Sequence, residues 1–93
     1  MLVIRKREYL DELKKILSFI ALDSATRANI FKKQLDLRVD NLIYFPYKYR
    51  QSFHHQNESV RDLIYKGYTI VYIINQQSES IEVIDIFKWV DKV

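Results

Sequence analysis

Tyr47, Lys48, Tyr49 and Arg50 set a ring, a cation, a ring and a cation side by side in the middle of the chain. Cations between flat rings can hold a phosphate flanked by stacking platforms, and the same set can dock an acidic patch of a protein. The bland reading is that the rings pack on a sheet edge and the cations are merely solvated. Arg61 is a further candidate, with a simple surface ion pair to the adjacent Asp62, worth about 0 to 1 kcal/mol, as its bland reading. Towards the C-terminus Lys88 and Lys92 flank Trp89, the only tryptophan and a natural anchor for a protein interface.

Other chemistry is excluded by composition. His54 and His55 are adjacent, so in an extended segment they point to opposite sides, and no third histidine or carboxylate completes a metal site. A loop surface accounts for them; a general-base role for one of them, His54, arises only if the chain cleaves RNA. Tyr68 and Tyr72 recur on one strand face, as core residues do. With one glycine the chain cannot form a glycine-rich nucleotide loop, and no cofactor is expected. The absence of cysteine removes disulfides and thiolate metal sites and fits a reducing cytoplasm.

At 93 residues the sequence suits a single domain spanning 1–93, able to bury about 60 to 65% of its unfolded surface. Leu2, Val3 and Ile4 precede Arg5, Lys6 and Arg7, the reverse of a signal peptide's order, and no apolar run approaches the ~20 residues of a membrane span. A cytoplasmic protein without membrane contact is expected. The net charge is +3, but 11 of the 15 Lys and Arg fall at or before Arg50. That predicts a basic surface on the N-terminal half, with a solvated helix face as its bland alternative.

The elements follow from the apolar period. A short strand, Leu2 to Arg5, leads into a helix from Arg7 to Ala21 in which Leu10, Leu13, Leu17 and Ile20 recur at three- and four-residue spacing. Asp23 and Ser24 can cap a second helix with the stripe Ala28, Phe31, Leu35, Val39 and Leu42, which makes a helical hairpin. Pro46 ends it near Tyr44 and leaves Tyr47 to Asn57 extended or irregular. From Val60 the period is two. Val60 to Tyr65, a turn at Lys66-Gly67, and Tyr68 to Asn75 form a hairpin, and Ile81 to Phe87 a third strand with Glu82 and Asp85 on opposite faces. The middle strand is apolar on both sides, so one face should meet the helices and the other a partner or the segment Lys88 to Val93.

A strand, two helices and an antiparallel meander is also the order of the ParE/RelE superfamily of bacterial type II toxins, which this chain resembles over nearly its whole length. IYFPYKYR looks like that family's proline and basic residue after the second helix. VRDLIYKGYTIVYII looks like its arginine, Gly-Tyr turn and aromatic strand, and IEVIDIF like its last strand. The resemblance implies an α+β fold: a short N-terminal strand and an antiparallel two-helix hairpin packed on an antiparallel β-sheet. Thr69 stands where the family usually carries an arginine after Gly-Tyr, and the tail offers only Lys88 and Lys92 as cations. The groups that would deprotonate a 2′-hydroxyl and stabilise a phosphorane are thus incomplete, which favours the ParE branch, whose members poison DNA gyrase.

On that reading Lys48, Tyr49, Arg50, Arg61, Lys88 and Trp89 bind the target. A cognate antitoxin neutralises the protein by covering apolar side chains such as Leu13, Leu17, Phe31, Val71 and Ile73, and operator DNA is met only through that antitoxin. The enzymatic alternative is a RelE-like, metal-independent endoribonuclease acting on ribosome-bound mRNA through Arg61, Lys88 and His54. A third class, a small non-toxic RNA-binding module, explains the basic aromatic cluster but not the order of the other elements.

Overall fold

A computed structural model describes residues 1–52 and 55–88. The expectations placed on His54, Trp89 and Lys92 lie outside the described residues. The elements run β1 (Leu2–Arg5), α1 (Arg7–Asp23), α2 (Ala25–Asp40), a 3-10 turn (Asn41–Ile43), β2 (Arg50–Gln51), β3 (Val60–Tyr65), β4 (Tyr68–Asn75) and β5 (Ser80–Lys88). Together they make the expected α+β fold.

One residue both closes α1 and opens α2. Ser24 has extended backbone, its amide donates to the Ile20 carbonyl at 3.0 Å, and its hydroxyl accepts from the Arg27 amide at 3.1 Å. This is the side-chain cap the sequence offered, and it leaves Asp23 inside α1, within 3.3 Å of Arg27. The second helix tightens into the 3-10 turn just before Pro46, as a proline in that position requires.

The strand order is β1-β5-β4-β3-β2. Three of the pairings are antiparallel, but β1 lies parallel to β5, so the sheet is mixed rather than wholly antiparallel. A four-residue edge strand carries no direction signal of its own. Its alignment is held by the amides of Leu2 and Lys6, which donate to the carbonyls of Glu79 and Val83 at 3.0 and 2.9 Å. The segment expected to be irregular also contributes β2, pairing Arg50 with Asp62 and Gln51 with Arg61.

Ile70, Tyr72 and Ile74 on β4 form the centre of the core with Leu63, Tyr65, Ile81, Val83 and Ile86. Tyr9 and Leu13 of α1 and Phe31, Leu35 and Val39 of α2 close over them. At the turn to β4, Lys66 and Gly67 both have positive φ, 49° and 83°, the type I′ geometry that matches the twist of a two-residue hairpin. No atom crowds the Gly67 Cβ position, so glycine is favoured there by backbone angle and not by space.

A register shift opposite Val71 and Tyr72 corrects the expectation for the last strand. Val71 pairs with Asp85 and Tyr72 with Val83, which leaves Ile84 as an inserted residue. Glu82, opposite Ile73, and Asp85, opposite Val71, therefore share the face away from the helices instead of taking opposite faces. The same bulge returns Ile86 to the core, where strict alternation would have placed Asp85.

Tyr9 is fully buried and its hydroxyl has no hydrogen-bond partner among the described residues. Burial pushes that hydroxyl up to about 12; the Arg5 charge pulls it down and Asp36 and Asp40 push it further up. An unfolded tyrosine titrates near 10, so the native state keeps the proton longer. This contribution is complete below about pH 10 and is lost as pH rises through about 12, on the order of 2 to 3 kcal/mol in all. Tyr9→Phe removes a buried hydroxyl without a partner, so melting at neutral pH should be unchanged or raised. Between pH 10 and 12 the variant should lose less stability than the parent. Thermal melts by circular dichroism across that range read both effects, and equal alkaline losses would show that Tyr9 is not responsible.

Candidate functional site

Strand register places Arg61 and Tyr72 directly opposite one another, and both hold the segment after Pro46. The Tyr72 hydroxyl donates to the Pro46 carbonyl at 2.7 Å. Burial pushes its titration well above the ordinary tyrosine value, while the neighbouring Arg61 charge pulls it down. Arg61 donates through Nε to the Glu58 carbonyl at 2.8 Å and through Nη1 to the Tyr49 carbonyl at 3.1 Å. Its guanidinium also lies 5.0 Å from the centre of the Tyr47 ring, whose hydroxyl accepts from Gln76 Nε2 at 2.8 Å. Two loops and the ring are fixed by one side chain.

The ion pair with Asp62 that was the bland alternative for Arg61 does not form, because consecutive strand residues face opposite sides of the sheet. Asp62 is buried on the far face, where Arg50 lies 3.7 Å away. Arg50 is thus tied to a buried carboxylate and is not a free cation. Lys48 remains exposed, with its ammonium 5.4 Å from the centre of the Tyr49 ring. Lys88 ends β5 opposite Tyr68, four residues along β4 from the partner of Arg61, a separation of roughly 13 Å along the strand at about 3.3 Å per residue. Arg61 is in any case already committed to two carbonyls.

Arg38 and Lys66 escaped the sequence reading. Both stand over the Tyr65 ring, at 4.7 and 5.9 Å from its centre, while Phe31 packs against that ring at 5.2 Å. The signal available in the sequence was spacing. Phe31 and Arg38 are seven residues apart on α2 and therefore share the face turned to Tyr65. His55 is exposed and lines a broad cavity with Val71 and Asp85. Among the described residues no group of histidine, cysteine or carboxylates could hold a metal ion.

Thr69 is fully buried, and its hydroxyl has no hydrogen-bond partner among the described residues. It faces away from the helices between Ile64 and Phe87. A long cation at this position would have to leave a closed site.

Among the side chains expected to meet an antitoxin, Leu13, Phe31 and Val71 are buried, and Leu17 and Ile73 are half-buried. Most of the helical stripe, though not Leu10, is used against the sheet. The hairpin instead exposes Leu10, Phe19, Leu22, Ile30 and Leu37, with Phe19 at 68% and Leu22 at 85% of full exposure. Phe19 and Leu22 lie off the stripe that the spacing defined, and apolar residues on a face expected to be polar were the available sign of them.

Arg61→Ala removes two charge-assisted hydrogen bonds and a ring contact, so it should destabilise the fold by about 2 kcal/mol. Arg61→Lys should recover little of this, since an ammonium cannot reproduce the planar fork that reaches both carbonyls. Chemical denaturation measures both, and full recovery by lysine would mean that charge alone matters.

A family model described as "ParE toxin of type II toxin-antitoxin system, parDE" matches residues 3–88. No curated protein matches the chain significantly. The matched span begins in β1 and ends at Lys88 of β5, so it takes in both helices and, but for Leu2, the strands of the described residues. The chain belongs to the ParE family of type II toxin-antitoxin toxins.

Proposed function

We propose that this toxin acts by binding and inhibiting DNA gyrase and has no catalytic centre of its own. The observation that carries the reading is the placement of its arginines. Arg61 is engaged by two backbone carbonyls and Arg50 by a buried carboxylate, so neither guanidinium is positioned on an open phosphate site. Cleavage of RNA without a metal needs several groups converging on one phosphate. A binding surface has no such need, and Lys48 and Tyr49 beside the pinned loop suit one.

The partner that would neutralise the toxin is a cognate antitoxin, docking on the apolar side chains exposed along the hairpin. Leu10, Leu13, Leu17, Ala21 and Ala28 line a groove between α1 and α2 whose rim carries Lys14 and Lys32. An amphipathic helix with acidic flanks fits such a groove. No described helix is long and apolar enough to cross a membrane, and the cytoplasm is the compartment where both gyrase and antitoxin would be met.

Purified protein should inhibit supercoiling of plasmid by gyrase and leave ribosome-bound mRNA intact. Lys48→Glu should weaken inhibition about tenfold, some 1.4 kcal/mol, with the fold unchanged, since this side chain is exposed and makes no ion pair with a described residue. Arg50 is the wrong residue to reverse, because a glutamate there would face buried Asp62. Codon-specific mRNA cuts by the intact protein would overturn the gyrase reading in favour of a RelE-like nuclease.

A further inference from the structure

Arg38, Lys48, Arg61 and Lys66 each stand over a tyrosine ring, and the four are linked into one surface. Arg61 binds the Tyr49 carbonyl, Lys48 covers the Tyr49 ring, Arg38 meets Lys48 across a pocket, and Lys66 shares Tyr65 with Arg38. Such contacts occur about once in 70 to 80 residues, so this is a concentration. Arg5, Lys15, Arg27 and Lys32 reach carboxylates, whereas among the described residues Arg38, Lys48 and Lys66 reach none, a property they share with Lys6, Arg7, Lys14 and Lys33.

The pocket has a volume of about 260 Å³ and is lined by Arg38, Asn41, Phe45, Lys48 and Tyr49. We propose that it takes a backbone phosphate of a single-stranded nucleic acid. A guanidinium from α2, a carboxamide from the 3-10 turn and an ammonium from the following loop line it, all three of them groups that can donate to phosphate oxygens. Phe45 and Tyr44 beside it are 70% and 67% exposed. Flat rings next to a phosphate site are platforms for the bases on either side of it.

The C-terminus of α2 opposes an anion, but part of its last turn is already bonded. The Asn41 amide donates to Leu37 and Val39 and the Tyr44 amide to Asn41, and the helix-end effect fades within a turn. The proposal does not rest on the gyrase reading, because it concerns nucleic acid without any partner protein.

The test is fluorescence anisotropy of the full chain with labelled 12-nucleotide poly-dT and poly-U, with a duplex of the same length and a labelled polyglutamate peptide alongside. Inorganic phosphate and a mononucleotide serve as competitors. The single strands should bind at low salt and weaken as salt rises. Arg38→Gln with Lys48→Gln should lower affinity tenfold or more and reduce the slope of log affinity against log salt by about 1.4, two contacts at about 0.7 each. Phe45→Ala should weaken strand binding and leave competition by phosphate unchanged.

Lys33→Gln, which removes an exposed cation outside this pocket, should bind like the parent. Because Arg38 also covers Tyr65, Lys48→Gln alone is the variant that keeps the test clean if the double variant fails to fold by circular dichroism. Binding unaffected by Lys48→Gln would overturn the proposal. So would polyglutamate binding as tightly as the strands, which indicates an acidic protein partner, or a mononucleotide binding as tightly as a 12-mer.

Discussion

β4 must be buried on both sides, and the other elements are arranged around that requirement. Ile70, Tyr72 and Ile74 face the helical hairpin, while Thr69 and Val71 are buried on the opposite face. A strand of this composition is stable only in the interior of a sheet. Its hydrogen bonds are taken by β3 on one side and β5 on the other, which leaves the edges to β1 and the two-residue β2. Those edge strands are short: β1 covers only Ser80 to Val83 of β5 and β2 only Arg61 and Asp62 of β3, so among the described residues the remainder of β5 and β3 has no strand on its outer side.

The same strand transmits order to the loop that carries the candidate site. Tyr72 belongs to the core by its ring and to the loop by its hydroxyl, which is bound to the Pro46 carbonyl. Arg61, its cross-strand neighbour, adds the Tyr49 carbonyl and the Tyr47 ring. A loop after a proline would otherwise lose conformational freedom of about 1 to 2 kcal/mol per residue on ordering. Here the ordering is offset by bonds from two residues already fixed by the sheet. Lys48 is held against Tyr49 without being buried, and this is how the rigid part of the molecule positions an exposed cation.

Much of the fold could be read from the sequence because its signals are local. The three- and four-residue spacing of Leu10, Leu13 and Leu17, the cap at Ser24, the break before Pro46 and the Lys66-Gly67 turn each depend on neighbours a few residues away. What escaped were non-local facts. The parallel direction of β1 is decided by a partner more than seventy residues later, and the bulge at Ile84 by the demand that Ile86 and Val83 both reach the core. The site was legible only in part for the same reason. Lys48 and Tyr49 stood out as neighbours in sequence, whereas Arg38 joins them through space and Arg50 is removed from the free cations by Asp62, a residue it meets only across two strands.

The distribution of charge carries an argument of its own. Four of the basic residues, Arg5, Lys15, Arg27 and Lys32, are offset by carboxylates at 2.8 to 3.3 Å, so this sequence readily supplies an acidic neighbour. Lys48 beside Tyr49, and Arg38 and Lys66 over Tyr65, have rings instead, although Arg50 nearby reaches Asp62. A ring lowers the energy of an adjacent cation by about 0.5 to 1 kcal/mol at an exposed site, comparable to a surface ion pair, and leaves the net positive charge in place. For stability alone the two solutions are nearly equal, so stability does not explain the choice. They differ in the field they project. A carboxylate cancels the charge that an anionic partner would feel, whereas a tyrosine ring orients the cation and lets the field extend over about 8 to 10 Å of solvent at physiological salt. A surface built of cations on rings is therefore fixed in shape and still charged, and both properties are those that recognition of an anion requires.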